Sequence, residues 1–255
     1  MHVAITGAST GIGAALAREL AGPGVRLTVV ARSRARLEAL ARDVGGAHVV
    51  AHDLSDPERA CAWMDAAQAA QGPLDVLVNN AGAHVAGATV DVAPERGEAV
   101  LRLDLLTPLR LTQHALRGML ARRSGTIVDV TAMAALAPLP GLAHYDAAKA
   151  GLAAWSEALR VELRGSGVHV VTVYPGYIAD TELAREGAAA YEPSRAERLM
   201  PKGTSAELAR RVRRAIERRE DRVLYPYPAA LALYVSGPVR WAMGRFSPRL
   251  RKPTP

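Results

Sequence analysis

Short runs of β-branched residues alternate along the chain with longer stretches in which Ala, Leu and Arg recur at helical spacing. This alternation is typical of βαβ units, in which helices connect the strands of a parallel sheet. Strands are predicted at 2–6, 25–31, 47–51, 74–78, 125–131, 168–174 and 222–225. Helices are predicted at about 12–21, 34–43, 57–70, 95–121, 144–164 and 205–219, the last with Ser205 as N-cap. The pattern predicts an α/β fold with a doubly wound, seven-stranded parallel sheet and helices on both faces.

The chain is predicted to form one domain, residues 1–225, because no internal repeat or low-complexity linker interrupts it. Residues 176–204 mix Gly, Ala, Pro and charge, a composition typical of a substrate lid. Residues 226–255 form a basic, aromatic C-terminal extension that we expect to pack on or near the domain. The 17 uncharged residues between Arg222 and Arg240 contain prolines and a glycine, and spanning a bilayer needs ~20 apolar residues. A transmembrane helix is not expected.

The charge distribution argues against a nucleic-acid partner. The chain has 32 basic and 25 acidic residues, but residues 205–255 alone hold 12 basic and 4 acidic ones. The rest of the chain is therefore close to neutral, and aromatic residues make up only 4% of the total. A nucleic-acid-binding domain would carry a broad basic face, so we predict no nucleic-acid binding.

Cys61 is the only cysteine, which excludes an internal disulfide framework and a multi-cysteine metal site. We predict no metal site. The first ten residues, MHVAITGAST, lack the features of a secretory signal peptide. These features predict a cytoplasmic protein, and the basic tail leaves peripheral membrane contact open.

A glycine-rich segment, Thr6-Gly7-Ala8-Ser9-Thr10-Gly11-Ile12-Gly13, lies between the first predicted strand and helix. Glycines there let the backbone approach a pyrophosphate, whose charge the helix N-terminus stabilises. The second strand ends in Ala31-Arg32-Ser33, where an NAD site normally has an acid for the ribose hydroxyls. Because Arg binds a 2′-phosphate that a carboxylate would repel, we predict NADP(H), contacted by Arg32 and Ser33. Arg34 and Arg36 are expected to be solvated residues of the next helix.

The order and spacing of further motifs resemble the short-chain dehydrogenase/reductase family over about residues 1–225. These motifs are the TGxxxGIG turn, Asp53-Leu54, Asn79-Asn80-Ala81-Gly82, Tyr145-x-x-x-Lys149 and Pro175-Gly176. The resemblance implies a Rossmann-type fold and an oxidoreductase that transfers hydride between NADPH and a carbonyl or alcohol.

The resemblance also implies places for these residues along the cofactor. Asp53 and Leu54 would flank the adenine, and Asn80-Ala81-Gly82 would lie along the ribose. Pro175, Gly176, Ile178 and Thr181 would border the nicotinamide. The full predicted cofactor set is Gly7, Ser9, Thr10, Gly11, Ile12, Gly13, Arg32, Ser33, Asp53, Leu54, Asn80, Ala81, Gly82, Thr131, Tyr145, Lys149, Pro175, Gly176, Ile178 and Thr181.

Tyr145, Lys149 and Asp104 are the predicted catalytic residues. Tyr145 and Lys149 are four positions apart on a predicted helix and therefore share a face. A nearby ammonium lowers the pKa of a phenol, which makes the phenol a usable acid or base near neutral pH. Lys149 can also hold the hydroxyls of the nicotinamide ribose.

Two positions depart from the family pattern. The family's carbonyl-binding serine, thirteen residues before the tyrosine, is Ala132 here, and its helix asparagine is Asp104, which cannot donate a hydrogen bond when ionised. Loss of one preorganised donor costs ~10²–10³ in rate. Candidate replacement donors are Thr131, His84, His144 and Tyr177.

Three functions therefore stay open. The first is an NADP(H)-dependent reductase in which Tyr145, alone or with a substituted donor, polarises a carbonyl. The second is an NADP(H)-dependent catalyst of C=N or C=C reduction or of a non-redox step. The third is a non-catalytic NADP(H)-binding protein.

The last thirty residues also leave alternatives open. Their interleaved aromatic, apolar and basic residues suit a membrane surface, an apolar substrate entrance, or packing over the core or a second subunit. We predict a small-molecule substrate and a homo-oligomer, in the form of a dimer.

Overall fold

The computed structural model describes residues 1–192 and 201–226, together with Gly237 and Leu250. In these residues seven strands form one sheet in which every pairing is parallel. The strands are β1 (His2–Thr6), β2 (Arg26–Ala31), β3 (His48–Ala51), β4 (Val76–Asn79), β5 (Gly125–Val130), β6 (Val168–Pro175) and β9 (Arg222–Tyr225). A separate pair consists of β7 (Tyr177–Ile178) and β8 (Lys202–Gly203).

The spatial order of the sheet is β3-β2-β1-β4-β5-β6-β9, so the chain reverses direction across the sheet between β1 and β4. In open α/β sheets, ligands bind beyond the carboxyl ends of the strands at such a switch point. The first predicted strand therefore ends where a binding crevice is expected.

Helices cover both faces of the sheet, which confirms the predicted doubly wound α/β architecture. The helices are α1 (Gly11–Leu20), α2 (Arg34–Asp43), α3 (Met64–Gln71), α4 (Pro94–Leu101), α5 (Thr107–Arg122), α6 (Ala143–Glu162), α7 (Glu182–Ala189) and α8 (Ser205–Arg218). One core cluster joins α1, α2 and α8 to the sheet, and a second joins α3, α5 and α6 to its other face. Along β1, Val3 and Ile5 belong to the first cluster and Ala4 to the second, as strand alternation requires.

Three helix predictions need correction. The helix predicted at 57–70 begins only at Met64, because residues 57–63 form successive turns with hydrogen bonds from i to i+3, such as Met64 N to Cys61 O at 3.0 Å. The helix predicted at 95–121 contains a π-helical turn, Arg102–Leu106, between α4 and α5. The N-cap of α8 is Thr204, whose side chain accepts from the Glu207 amide, and Ser205 is the first helical residue.

The predicted lid, residues 176–204, contains β7, α7 and β8, while residues 193–200 lie outside the described residues. Of the predicted extension, 226–255, only Pro226, Gly237 and Leu250 are described, so the predictions about it lie outside the described chain. In the part of the chain that the structure describes, no helix is long and apolar enough to cross a membrane.

Candidate active site

The glycine-rich turn after β1 is fastened to the loop after β4. Thr6 Oγ1 accepts hydrogen bonds from the amides of Asn80 and Ala81 at 2.9 and 3.1 Å. The Asn80 side chain donates to the carbonyls of Thr6 and Gly7 at 3.0 and 3.2 Å. These bonds join the two strands that flank the switch point, and they explain why the predicted residues of both loops lie together.

The turn is shaped for a close backbone approach. A Cβ at Gly13 would lie 2.3 Å from the Gly7 carbonyl oxygen, so only glycine fits there. The side chain of Thr10, which precedes α1, makes no cap hydrogen bond to the helix. Ser9, Thr10, Gly11 and Ile12 are half-buried around the start of this helix. The open helix N-terminus and the glycine cradle fit the pyrophosphate of a dinucleotide.

Arg32 and Asp53 lie close enough at the ends of β2 and β3 for their charges to interact. The Ser55 amide donates to Asp53 Oδ1 at 2.9 Å and lowers the pKa of Asp53, and the Arg32 charge lowers it further. Arg32 is exposed and forms no ion pair with a described residue. Its guanidinium is thus available to an anion.

The neighbours of Arg32 have structural partners. Ser33 caps α2, because its Oγ accepts from the Arg36 amide at 3.4 Å. Arg34 pairs with Glu38 at 3.8 Å, and Arg36 pairs with Glu182 of α7 at 3.7 Å. Leu54 is buried, and its carbonyl accepts from Thr107 Oγ1 at 2.8 Å. Arg32 therefore differs from Arg34 and Arg36 in forming no ion pair with a carboxylate of the described residues.

The start of the lid lies against the glycine-rich turn. The Gly176 amide donates to the Tyr225 carbonyl at 2.7 Å directly after Pro175, and Ile178 is buried. Thr181 caps α7 by accepting from the Ala184 amide at 3.2 Å, and a Cβ at Gly11 would lie 3.4 Å from its methyl group. The predicted nicotinamide border thus meets the predicted phosphate turn.

Lys149 and Asp104 form a buried ion pair beside Tyr145. Lys149 Nζ lies 3.1 Å from Asp104 Oδ2 and donates to the Val130 carbonyl at 3.1 Å. Asp104 is positioned by the π-helical turn, and its Oδ1 accepts from the Ala83 amide at 2.8 Å. A Cβ at Gly82 would lie 2.8 Å from Asp104 Oδ2 and 3.3 Å from Lys149 Nζ, so a glycine there keeps the pair intact. The structure brings the three predicted catalytic residues together.

The electrostatics of this cluster favour the protonated phenol. Burial raises the pKa of Tyr145 far above its ordinary value, and the Asp104 and Asp146 carboxylates raise it further. Burial also raises the pKa of Asp104, although Lys149 and the Ala83 amide oppose that shift. The direction at Tyr145 is the opposite of that expected from Lys149 alone, because burial first, and then the Asp104 and Asp146 carboxylates, disfavour the phenolate.

Sequence reasoning missed Asp146, the residue that follows Tyr145. It is buried, its Oδ2 accepts from the Leu139 amide at 2.8 Å, and burial raises its pKa to about 6. The only sequence signal was an acid in the first turn of α6, and that signal is also typical of ordinary helix starts.

The structure separates the four candidate replacement donors. Thr131 is buried, and its hydroxyl donates to the Val173 carbonyl at 2.6 Å, so the structure directs it into the sheet and does not bring it to the site. A Cβ at Gly97 would lie 2.4 Å from the His144 ring, which shows that this ring packs against α4. Tyr177 is half-buried in β7. The His84 ring contacts Tyr145 edge-on, with centroids 6.3 Å apart and an interplanar angle of 75°.

No group of three or more His, Cys, Asp or Glu side chains within the described ranges is arranged to hold a metal ion.

Comparisons with known proteins give a consistent assignment. The family model described as short chain dehydrogenase matches residues 1–192. The ketoacyl reductase HetN of Nostoc sp. is 34% identical over 183 residues, which are 70% of this chain and 64% of that protein. The chain therefore matches less than two thirds of that relative's length.

Two further relatives match at similar coverage or above. The cis-4-hydroxycyclohexanecarboxylate dehydrogenase of Sinomonas cyclohexanicum is 40% identical over 185 residues, 70% of this chain and 73% of that protein. A short-chain dehydrogenase from Sphingobium yanoikuyae has been solved in complex with NADPH. It matches this chain with a TM-score of 0.80 and 27% sequence identity, and the match covers 100% of this chain and 97% of that protein's chain.

Proposed function

This chain belongs to the short-chain dehydrogenase/reductase family of oxidoreductases, and from that premise we propose that it transfers hydride between NADP(H) and a small-molecule carbonyl or alcohol. One observation carries the proposal: Tyr145 lies beside the buried Lys149–Asp104 pair, which contacts the same loop after β4 that is hydrogen-bonded to the glycine-rich turn. The described residues 1–192 and 201–225 would form the NADP(H)-binding domain, with the lid at 176–204.

The residues at the switch point fit NADP(H). When bound, the cofactor supplies a hydride. The glycine-rich turn and the N-terminus of α1 would hold the pyrophosphate, and Arg32, unpaired among the described residues, would hold the 2′-phosphate. Asp53, Leu54 and the Asn80–Gly82 loop would line the path between them. The relative from Sphingobium yanoikuyae, solved with NADPH, supports this cofactor.

Tyr145 would give a proton to the carbonyl oxygen during reduction. Its raised pKa keeps the phenol protonated at neutral pH, and a general acid must hold its proton before the reaction begins. Lys149, held by the Val130 carbonyl and Asp104, would bind the ribose hydroxyls and stabilise the phenolate that remains. Asp104 acts through other groups, since it fixes both Lys149 and the amide of Ala83.

A second candidate rests on Ala132. Because this buried residue carries no hydroxyl, the site also suits reduction of a C=N or C=C bond, or a non-redox step. A non-catalytic NADP(H)-binding protein is the third alternative, since Lys149 can serve cofactor binding alone.

One experiment separates these functions. Purified protein is titrated with NADPH and NADH by calorimetry and then assayed for NADPH oxidation with ketones, imines and enones, alongside Tyr145→Phe and the matched control Tyr177→Phe. We expect tight NADPH binding and ketone reduction that Tyr145→Phe abolishes and Tyr177→Phe retains. Turnover of imines or enones alone would favour the second candidate. NADPH binding without any turnover would favour the third.

The homo-oligomeric state, predicted as a dimer, the cytoplasmic location and peripheral membrane contact through 226–255 stay predictions. Light scattering of the purified protein tests the oligomeric state. Sedimentation of the full chain with acidic liposomes at low salt tests the membrane contact.

A further inference from the structure

The substrate side of Tyr145 has a gap in its hydrogen-bonding groups. In carbonyl reduction, negative charge develops on the substrate oxygen, and a second donor beside the acid stabilises it. Ala132 offers only a methyl group, and the Thr131 hydroxyl is committed to the Val173 carbonyl. If the proposed reductase function is right, another donor must serve that oxygen or the reaction must proceed without one.

His84 occupies a fixed position next to Tyr145. It follows Ala83, whose amide is held by Asp104 at 2.8 Å, so the ion pair that supports Lys149 also anchors the loop that presents His84. The imidazole contacts the Tyr145 ring edge-on at 6.3 Å between centroids. Two catalytic elements, the helix of Tyr145 and the loop after β4, therefore share one anchor.

The imidazole has hydrogen-bonding capacity that the described residues do not use. Neither ring nitrogen of His84 has a hydrogen-bond partner among residues 1–192 and 201–226, although the ring is half-buried. On its far side the ring faces α7 of the lid, where a Cβ at Gly187 would lie 3.7 Å from Nε2. Because residue 187 is a glycine, it has no side chain that could cover Nε2. His84 therefore lies between Tyr145 and the lid, with its polar atoms open.

Burial lowers the pKa of His84, against the opposing charges of Glu186 and Asp104, so the neutral imidazole dominates at neutral pH. A neutral imidazole has one N–H donor and one acceptor nitrogen. It can thus donate to an anionic oxygen without delivering a proton, and its role stays distinct from that of Tyr145.

We propose that His84 donates the second hydrogen bond to the substrate carbonyl oxygen, in place of the hydroxyl that Ala132 lacks. As hydride adds to the carbonyl carbon, the π electrons of the C=O bond move to oxygen. The Tyr145 phenol gives this oxygen its proton and becomes a phenolate, while His84 keeps its own proton. His84 is a catalytic residue in this scheme, whereas Asp104 is a positioning residue that holds its loop.

The test combines His84→Ala, His84→Gln and Ala132→Ser with the double variant His84→Ala/Ala132→Ser. His144→Ala is the matched control, because that histidine is also next to Tyr145 but its ring packs against Gly97. Each variant is assayed with NADPH and the best ketone substrate at pH 7 for kcat and KM. The dissociation constant of NADPH is measured separately by fluorescence titration.

We expect His84→Ala to lower kcat/KM by ~10² through kcat, and His84→Gln, which keeps a donor, to lose less. Ala132→Ser should recover at least ~10-fold in the His84→Ala background but change the wild type by less than ~3-fold. NADPH affinity should stay within ~2-fold throughout, and Ala132→Ser should not rescue His144→Ala.

Two results would overturn the proposal while leaving the reductase function intact. One is a His84→Ala enzyme as active as the wild type. The other is an Ala132→Ser gain of the same size with and without His84, which would mean that the donor's place is empty in the wild type. A wild type that binds NADPH but reduces no ketone would instead overturn the proposed function and this inference with it.

Discussion

Replacing Asp104 by Asn tests the electrostatic account of the active site. The substitution removes one negative charge 3.1 Å from Lys149 Nζ and keeps an oxygen that can accept from the Ala83 amide. Lys149 then presents an unopposed positive charge, 5.8 Å from the centre of the Tyr145 ring. We therefore expect the pKa of the Tyr145 phenol to fall.

The size of the shift is the interaction between the Asp104 carboxylate and the phenolate, which the substitution removes. Asp104 Oδ2 lies 3.1 Å from Lys149 Nζ, which is 5.8 Å from the centre of the Tyr145 ring, so at most about 9 Å separates the carboxylate oxygen from the ring centre. A unit charge about 6 to 9 Å away contributes about 2 to 3 kcal/mol at an effective dielectric constant of ~20, which corresponds to ~1 to 2 pKa units. Tyr145 is half-buried, so solvent reduces the effect, and we expect a fall of about 1 unit. The pKa falls because Asp104 is the charged group that raises it most.

The assay is the pH dependence of kcat/KM for alcohol oxidation, with the secondary alcohol that the wild type oxidises fastest. Oxidation needs the phenolate as base, and below the pKa of Tyr145 the phenolate fraction rises about tenfold per pH unit. Asp104→Asn should therefore move this rising limb of kcat/KM to lower pH. Asp146→Asn is the control, because its carboxylate also raises the Tyr145 pKa but contributes less, so its shift should be smaller.

An unchanged rising limb in Asp104→Asn, with NADPH binding and far-UV circular dichroism intact, would refute the reasoning. A larger shift in Asp146→Asn than in Asp104→Asn would contradict the order of the two carboxylates.

Three further predictions concern the cofactor site, the ion pair and the core. Arg32→Ala should weaken NADPH binding by ~10-fold or more and leave NADH binding unchanged, whereas Arg34→Ala should affect neither, as calorimetric titration would show. Gly82→Ala should lower kcat in steady-state kinetics by at least ~10-fold, since its Cβ would lie 2.8 Å from Asp104 Oδ2. An unchanged kcat would mean that the loop moves away freely and would contradict this prediction. Burial raises the pKa of Asp129 to about 6, so its ionisation costs folding stability as pH rises from about 4 through 6. The free energy of unfolding of Asp129→Asn, measured in urea, should therefore rise relative to that of the wild type by on the order of 2 kcal/mol between pH 4 and 7. A difference between the two proteins that does not change with pH would contradict this.

The strands were predictable from sequence because most of them contain a run of β-branched or other apolar residues. All seven fall within two residues of their predicted bounds, as at β1 and β9. Strands β1, β2, β4, β5 and β6 are buried along nearly their whole length, so no competing pattern obscures them, whereas the edge strands β3 and β9 are only partly buried.

The errors lie where local composition does not decide the backbone. Residues 57–63 have helical composition, yet their backbone folds into i to i+3 turns that place Ala60 and Trp63 in the core. The π-helical turn at Arg102–Leu106 inserts no breaker residue, so the helical pattern continues through it. Thr204 and Ser205 are both residue types that cap helices well. The Ser205 hydroxyl donates to Asp180 at 2.7 Å, and Thr204 is the N-cap.

In the candidate site, too, some features were predictable from the sequence and others were not. The order of motifs predicted that Tyr145, Lys149 and Asp104 lie together, because a helix face and the ends of parallel strands fix their places. The direction of the Thr131 hydroxyl depends on the facing strand, whose Val173 carbonyl captures it. The contact of His84 with Tyr145 depends on a loop conformation that Asp104 sets from a distant helix. Neither has a signal within a few residues of its own position.

The central claim is that Tyr145 and its supporting ion pair serve hydride transfer to a carbonyl. The most direct measurement follows deuterium from NADPH, labelled on the reactive face of nicotinamide C4, into the alcohol product by mass spectrometry. We expect one deuterium per alcohol, on the former carbonyl carbon, with the wild-type protein, and a rate at least ~10³-fold lower with Tyr145→Phe at unchanged NADPH affinity. An alcohol that forms without the label, or a Tyr145→Phe variant that transfers it at the wild-type rate, would contradict the claim.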